Sequence, residues 1–152
     1  MRRLFYFILI LPFFVSGQSS DVTDKAVLTE IYSQAIGDFI RDANQRNKRP
    51  FDTLFFGKVP GAFPDIQLPN SINKTVIRLI SQKEGQLSQK EHPSHIYINL
   101  PASVDKGYAK FVFYVFSGGF KHLYDYTLWY IGYPETKKYV LGKVEFQGPP
   151  FK

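Results

Sequence analysis

Alternating polar and apolar positions dominate the C-terminal third of the chain. Residues 108–117, 121–131 and 137–146 each follow the two-residue period of a β-strand and are rich in aromatic and β-branched side chains. Gly118-Gly119 separates the first two segments and residues 132–136 separate the last two. Because glycine tolerates the positive φ of tight turns, the pattern predicts three consecutive antiparallel strands.

Near the N-terminus the hydrophobic period changes to that of a helix. The pattern predicts a long amphipathic helix that starts near Ser19-Ser20-Asp21, has Asp24 in its first turn, ends at about Arg46 and is stopped by Pro50. Gly37 lies inside this helix and predicts a bend or a close approach by another segment. The apolar side chains recur every four residues, at Val27, Ile31, Ala35 and Phe39.

Shorter segments at residues 53–59, 75–80 and 95–100 predict three further strands. The fold class is therefore α+β, with a long N-terminal helix packed on a curved antiparallel sheet of about five to six strands. This order of elements resembles the cystatin-like and NTF2-like architectures over most of the chain. The Gln-x-Val-x-Gly loop that marks cystatins has no counterpart here, so no inhibitor residue is carried over.

The first residues have the pattern of a targeting segment. Arg2 and Arg3 precede an apolar run from residue 4 to residue 15, and short side chains follow at Ser16 and Gly17. We expect a signal peptide over residues 1–17, a single domain over residues 18–152, and secretion or a periplasmic location. The apolar run rises only about 18 Å as a helix, less than a hydrocarbon core of about 30 Å, so no stable membrane span is expected after cleavage.

Composition excludes several kinds of site. The chain has no cysteine, which excludes disulfides, thiolate metal sites and a cysteine nucleophile. Without Arg2 and Arg3 the formal net charge falls from +6 to +4, a mild value that does not indicate nucleic acid. No phosphate loop, dinucleotide fingerprint or Gly-x-Ser-x-Gly motif is present. The spacing of His92, His95 and His122 does not direct two of them at one metal, and we expect no cofactor.

One face of the predicted sheet combines aromatic with polar side chains. Such a surface is typical of recognition, because Tyr and Trp offer large contact areas with a polar group. We expect it to bind a protein, a peptide or a glycan, or to form a homodimer. The alternative is an ordinary solvated face, since Tyr, Trp and Thr are good strand formers. The candidate binding residues are Tyr97, Asn99, Tyr114, Asp125, Thr127 and Trp129.

The opposite face predicts a second candidate site. Tyr124, Tyr126 and Tyr130 point towards the helix together with Val140 and other apolar residues, and they are candidates for the lining of a pocket. A small NTF2-like enzyme or ligand carrier is the alternative function that such a pocket implies; the simpler interpretation is core packing with hydroxyls at the rim.

An acid–base pair is not expected from the alternation of the strand. His122 and Asp125 are three residues apart, so regular alternation places them on opposite faces. With no convergent catalytic set, no catalytic residue is assigned. The leading hypothesis is an exported, non-catalytic binding module.

Overall fold

The computed structural model describes residues 24–46, 50–58, 63–81, 83–84, 91–92, 94–117 and 121–148. Within these ranges no helix is both long enough and apolar enough to cross a membrane. The predicted signal peptide and the Gly118-Gly119 turn lie outside the described residues. The elements are α1 (Lys25–Arg46), β1 (Thr53–Lys58), β2 (Ser71–Ile72), β3 (Thr75–Ser81), β4 (Ile96–Asn99), β5 (Ala102–Val104), β6 (Tyr108–Ser117), β7 (Lys121–Tyr133) and β8 (Lys138–Gln147).

The eight strands form one strongly curled mixed sheet in the order β2-β3-β1-β4-β6-β7-β8, with β5 paired to β6. The α+β class and the curved sheet are confirmed. The purely antiparallel arrangement is wrong, because β1 runs parallel to both β3 and β4. The strand count exceeds the prediction because β2 and β5 have only two and three residues, too few to show a period.

Asp24 caps the helix from outside its first turn. The Ala26 backbone N–H donates to Asp24 Oδ1 at 3.0 Å, and the Leu28 N–H donates to the Asp24 carbonyl oxygen at 3.0 Å. These are the bonds of an N-cap residue, which satisfies backbone donors that lack a partner in the first turn. The helix α1 therefore begins at Lys25, and the residues of the predicted start, Ser19-Ser20-Asp21, lie outside the described residues.

Aromatic contacts between α1 and the strands β6 and β7 hold the core together. The ring of Phe39 stacks on Phe113 with centroids 4.4 Å apart and meets the edge of Tyr126 at 5.4 Å. Two turns earlier along α1, Tyr32 meets Phe111 edge-on at 4.9 Å. Each such pair adds about 0.5–1.5 kcal/mol beyond the burial of its area. The predicted core positions of β6 and β7 are confirmed as buried: Ala109, Phe111, Phe113, Val115, Tyr124, Tyr126, Leu128 and Tyr130.

The predicted close approach at Gly37 is confirmed. A Cβ atom on Gly37 would lie 3.4 Å from Ile72 Cγ2, and the Asn73 side-chain amide donates to the Gly37 carbonyl oxygen at 3.0 Å. Asn73 and Lys74 have φ values of 50° and 69° and form the two-residue turn between β2 and β3. The short β2–β3 hairpin is thereby attached to the middle of α1.

A β-bulge at Gly142 changes the faces of β8. The Leu141–Tyr130 pair is followed by a register shift that leaves Gly142 without a partner in β7. Because an extra residue reverses the alternation, Leu141 and Tyr139 lie on the side of α1, where Tyr139 is buried. The predicted core position of Val140 is wrong, since its side chain is 52% exposed.

One buried hydrogen bond links α1 to β7. The Tyr130 hydroxyl donates to Asp38 Oδ2 at 2.7 Å, and Arg41 also donates to the Asp38 carboxylate. Burial, and secondly the bond to Asp38, raise the pKa of Tyr130 far above its ordinary value. The Tyr126 hydroxyl, in contrast, is buried without a hydrogen-bond partner among the described residues.

These two hydroxyls allow a matched test of the core. We expect Tyr130→Phe to lower the free energy of unfolding by about 1–3 kcal/mol, because it removes a donor from a buried carboxylate. Tyr126→Phe should leave stability unchanged or raise it, because it removes a hydroxyl that has no partner among the described residues. Urea denaturation of both variants measures the difference. Equal losses in the two variants would contradict this account.

Candidate functional site

The face of the sheet turned away from α1, called here the outer face, contains all six predicted binding residues. Directly opposed residues of a β-ladder point to the same side, and Asn99 opposes Tyr114, which in turn opposes Asp125. Tyr97 precedes Asn99 by two residues on β4. Thr127 and Trp129 follow Asp125 by two and four residues on β7. The structure thus places on one face side chains that come from three separate strands.

The six residues differ in how accessible they are. Tyr114 is 38% exposed and Asn99 is also exposed, whereas Tyr97 is only 3% exposed. Asp125, Thr127 and Trp129 are half-buried. The Tyr97 side chain is therefore covered on the outer face, and Tyr114 and Asn99 are the exposed members of the set.

A continuous cross-strand row of side chains runs over this face. The Phe55 and Tyr97 rings have centroids 5.3 Å apart, as do the Phe116 and His122 rings. His95 stacks on Phe55 at 4.7 Å. Sequence reasoning did not select Phe55 or Phe116, because nothing in their own segments shows that β1, β4 and β6 are neighbours. In the order β3-β1-β4-β6-β7, the row consists of Arg78, Phe55, Tyr97, Phe116 and His122.

His122 and Asp125 form a pair that the regular alternation argued against. The register between β6 and β7 shifts next to Phe116, which opposes His122 and leaves Leu123 unpaired. This bulge turns His122 to the outer face, where its Nε2 lies 2.6 Å from Asp125 Oδ1. The expectation of opposite faces is therefore wrong. The adjacent apolar residues Leu123 and Tyr124 were the available signal, because they interrupt the alternation.

The pair has a defined hydrogen-bonding pattern. When the imidazole is neutral, Nε2–H donates to Asp125 and leaves Nδ1 as an acceptor. The His122 side chain is 51% exposed and that of Asp125 is 29% exposed, so both are accessible to a ligand. Within the described ranges, no group of three or more His, Cys, Asp and Glu side chains is positioned to hold a metal ion. The arrangement is suited to exchanging hydrogen bonds with a polar ligand.

The accessible surface of Trp129 is reduced by a lysine. Lys110 Nζ lies 4.5 Å from the centroid of the indole ring, within the range of a cation–π contact. Lys143 opposes Trp129 from β8 and hydrogen-bonds to Glu145, which holds the pKa of Glu145 below its ordinary value. One face of the indole is therefore already occupied, whereas the neighbouring Tyr114 is exposed and Phe116 is half-buried.

The alternative pocket residues lie in the packed core. Tyr126 and Tyr130 are fully buried and Tyr124 is 6% exposed; Tyr124 also packs at 5.4 Å on Phe146. Two clefts occur beside α1 instead. One of about 540 Å³ lies between the first turns of α1 and residues 65–67, and one of about 140 Å³ lies between α1 and residues 137–140. None of the three tyrosines lines either cleft.

The free energy of unfolding of the protein is expected to depend on pH through His95. Burial, and secondly the charge of His92, lower the pKa of His95. The unfolded chain, with a histidine pKa of about 6.5, therefore takes up a proton at a higher pH than the folded chain does. Stability should fall as the pH decreases below about 6.5, and His95→Phe, which keeps a ring in the stack, should flatten this dependence. Urea denaturation of the wild type and of His95→Phe at neutral and acidic pH measures this dependence. If the free energy of unfolding falls with pH as steeply in the variant as in the wild type, the prediction is wrong.

Comparison of the chain with protein-family models, with curated proteins and with solved structures found no match. The comparisons therefore supply neither a family nor a function. Two features of the structure bear on function: the aromatic rings of the outer face and the His122–Asp125 pair. The three core tyrosines line neither of the two clefts beside α1.

Proposed function

We propose that this protein is an exported, non-catalytic binding module that uses the outer face of its sheet. The single observation that carries the proposal is the cluster of accessible aromatic and polar side chains around Tyr114, Phe116 and the His122–Asp125 pair. Aromatic rings supply contact area at low entropic cost, and neighbouring polar groups supply orientation. The ligand is a protein, a peptide or a glycan rather than a nucleic acid, and no cofactor is required.

The proposed export rests on the N-terminal sequence. Arg2, Arg3 and the apolar run that follows support a signal peptide of residues 1–17 and delivery to the periplasm or the medium. The long helix α1 and the curled sheet are compatible with a cystatin-like or NTF2-like arrangement, which is part of the proposal.

A small NTF2-like enzyme or ligand carrier is the second candidate function. One observation favours it: the Tyr126 hydroxyl is buried without a partner among the described residues, as a group that awaits a ligand would be. Tyr130 already donates to Asp38 and is less available for that role. A ligand in this position would require the rings around Tyr126 to separate, which is why the outer face is the preferred site.

The binding proposal can be tested through Trp129, the single tryptophan of the chain. Its fluorescence is followed while neutral oligosaccharides, acidic peptides and an unfolded polypeptide are titrated in turn. We expect one of these classes to bind, and Tyr114→Ala to weaken its binding by about tenfold or more. Val144→Ala is the matched control, because Val144 is 37% exposed but opposes Leu128 on the other face. Absence of binding by all three classes, or equal binding to Tyr114→Ala, would overturn the proposal.

A homodimer is proposed through the end of the outer face that lies away from Phe116 and His122. Tyr108, Ile131 and Val140 oppose one another across three strands and are 44%, 54% and 52% exposed, a contiguous apolar row of the kind found at interfaces. We expect light scattering to show a dimer that Ile131→Asn combined with Val140→Asn converts to a monomer. Val144→Asn is the control. A wild-type monomer at high concentration would exclude this interface.

A further inference from the structure

Five side chains of the outer face form a group called here the central strip: Asn99, Tyr114, Phe116, His122 and Asp125. They lie on β4, β6 and β7, each of which has a neighbouring strand on both sides. The backbone N–H and C=O groups of these strands are therefore used within the sheet, except at the unpaired Leu123 and at Asn99, which lies beyond the β1–β4 pairing. A ligand above the strip meets side chains only, and an extended peptide cannot bind there as an additional strand, since that mode requires a free sheet edge.

The central strip has an aromatic floor with polar groups on both flanks. Tyr114 and Phe116 are two residues apart on β6, so their side chains emerge on the same face roughly 6.7 Å from each other. Asn99 opposes Tyr114 from β4, and Asp125 opposes Tyr114 from β7. His122 opposes Phe116 on the side of β7 as well. The polar side chains are thus separated by two strand spacings, about 10 Å, with the rings between them.

We propose that the central strip binds a neutral oligosaccharide, a proposal that rests on the binding function of the outer face and specifies its ligand. A sugar ring has an apolar C–H face and hydroxyl groups around its edge. The C–H face matches the Tyr114 and Phe116 rings, since aromatic faces carry negative charge density that attracts C–H groups. The edge hydroxyls then point towards Asn99 on one flank and towards the His122–Asp125 pair on the other.

The hydrogen-bonding capacity of the flanks matches that of hydroxyl groups. A sugar hydroxyl both donates and accepts. Asp125 accepts through the oxygen that His122 does not use, and the Asn99 amide both donates and accepts. When its imidazole is neutral and Nε2–H donates to Asp125, His122 accepts through Nδ1. The bond of 2.6 Å between His122 and Asp125 fixes the orientation of both groups before a ligand arrives, which lowers the entropic cost of binding.

The charge of the central strip selects against acidic ligands. Its carboxylate, Asp125, lies directly beside the aromatic floor, where it would repel a uronic acid or a sulfated sugar. The cation nearest along β6, Lys110, is four residues from Tyr114 and lies over the Trp129 ring. Next to the two rings, Asp125 therefore favours a polar ligand without net negative charge.

Isothermal titration calorimetry of the purified protein tests the assignment. The probes are cellohexaose, xylohexaose and mannohexaose as neutral chains, with hexagalacturonate as the acidic comparison. We expect at least one neutral chain to bind and the acidic chain to bind at least about tenfold more weakly.

Tyr114→Ala should weaken the binding of the neutral chain about tenfold, whereas Tyr114→Phe, which keeps the ring, should retain most of this affinity. Asp125→Asn should reduce the difference in affinity between the neutral and the acidic chains. Val144→Ala should leave both affinities unchanged. Thermal unfolding confirms that each variant is folded.

The outcomes separate this inference from the binding function itself. The oligosaccharide assignment is overturned if no neutral chain binds at millimolar concentration, if the acidic chain binds as well, or if Tyr114→Ala has no effect. If acidic peptides or an unfolded polypeptide bind in a manner that depends on Tyr114 while the sugars do not, the outer face is a binding surface for another ligand. If no class of probe binds, both proposals fail.

Discussion

The contact between the apolar side of α1 and the inner face of β6 and β7 is the interaction on which the rest of the structure depends. Phe39 lies fully buried between Phe113 and Tyr126, with centroid distances of 4.4 and 5.4 Å. The buried bond between Tyr130 and Asp38 adds a directional constraint to this otherwise apolar interface. Because α1 packs on the inner face, exposed side chains such as Tyr114 lie on the opposite, outer face, where they can contact a ligand.

Two bulges then decide which side chains reach each face. The bulge at Leu123 turns His122 outwards beside Asp125, and the bulge at Gly142 turns Val140 outwards and Leu141 inwards. Each inserts a single residue, but a single residue is enough to reverse a two-residue period. The position of His122 in the candidate site is thus a consequence of a local backbone irregularity in β7.

The outer face combines aromatic rings with polar side chains on both sides of them. Tyr114 and Phe116 lie between Asn99 on one strand and the His122–Asp125 pair on another. Trp129, the most conspicuous aromatic residue in the sequence, is partly covered by Lys110 and contributes less than its size suggests. Function is therefore inferred from the accessible rings and their polar neighbours rather than from the total aromatic content.

Much of this fold was already determined by the local pattern of the sequence. The two-residue period located β6 as residues 108–117, and the four-residue period located α1 up to Arg46, because burial on one side is encoded in each element separately. All six candidate binding residues were correctly assigned to one face, since none of them lies beyond a bulge from the others.

Only the tertiary structure decided which strands are neighbours and where the alternation breaks. The parallel pairing of β1 with β3 and β4 and the row from Arg78 to His122 depend on contacts between residues far apart in the chain. The His122–Asp125 pair depends on a bulge whose free energy is set by packing on both sides of the sheet. A sequence period reports which side of an element is apolar; the partner of that element is chosen by the packing of the whole domain.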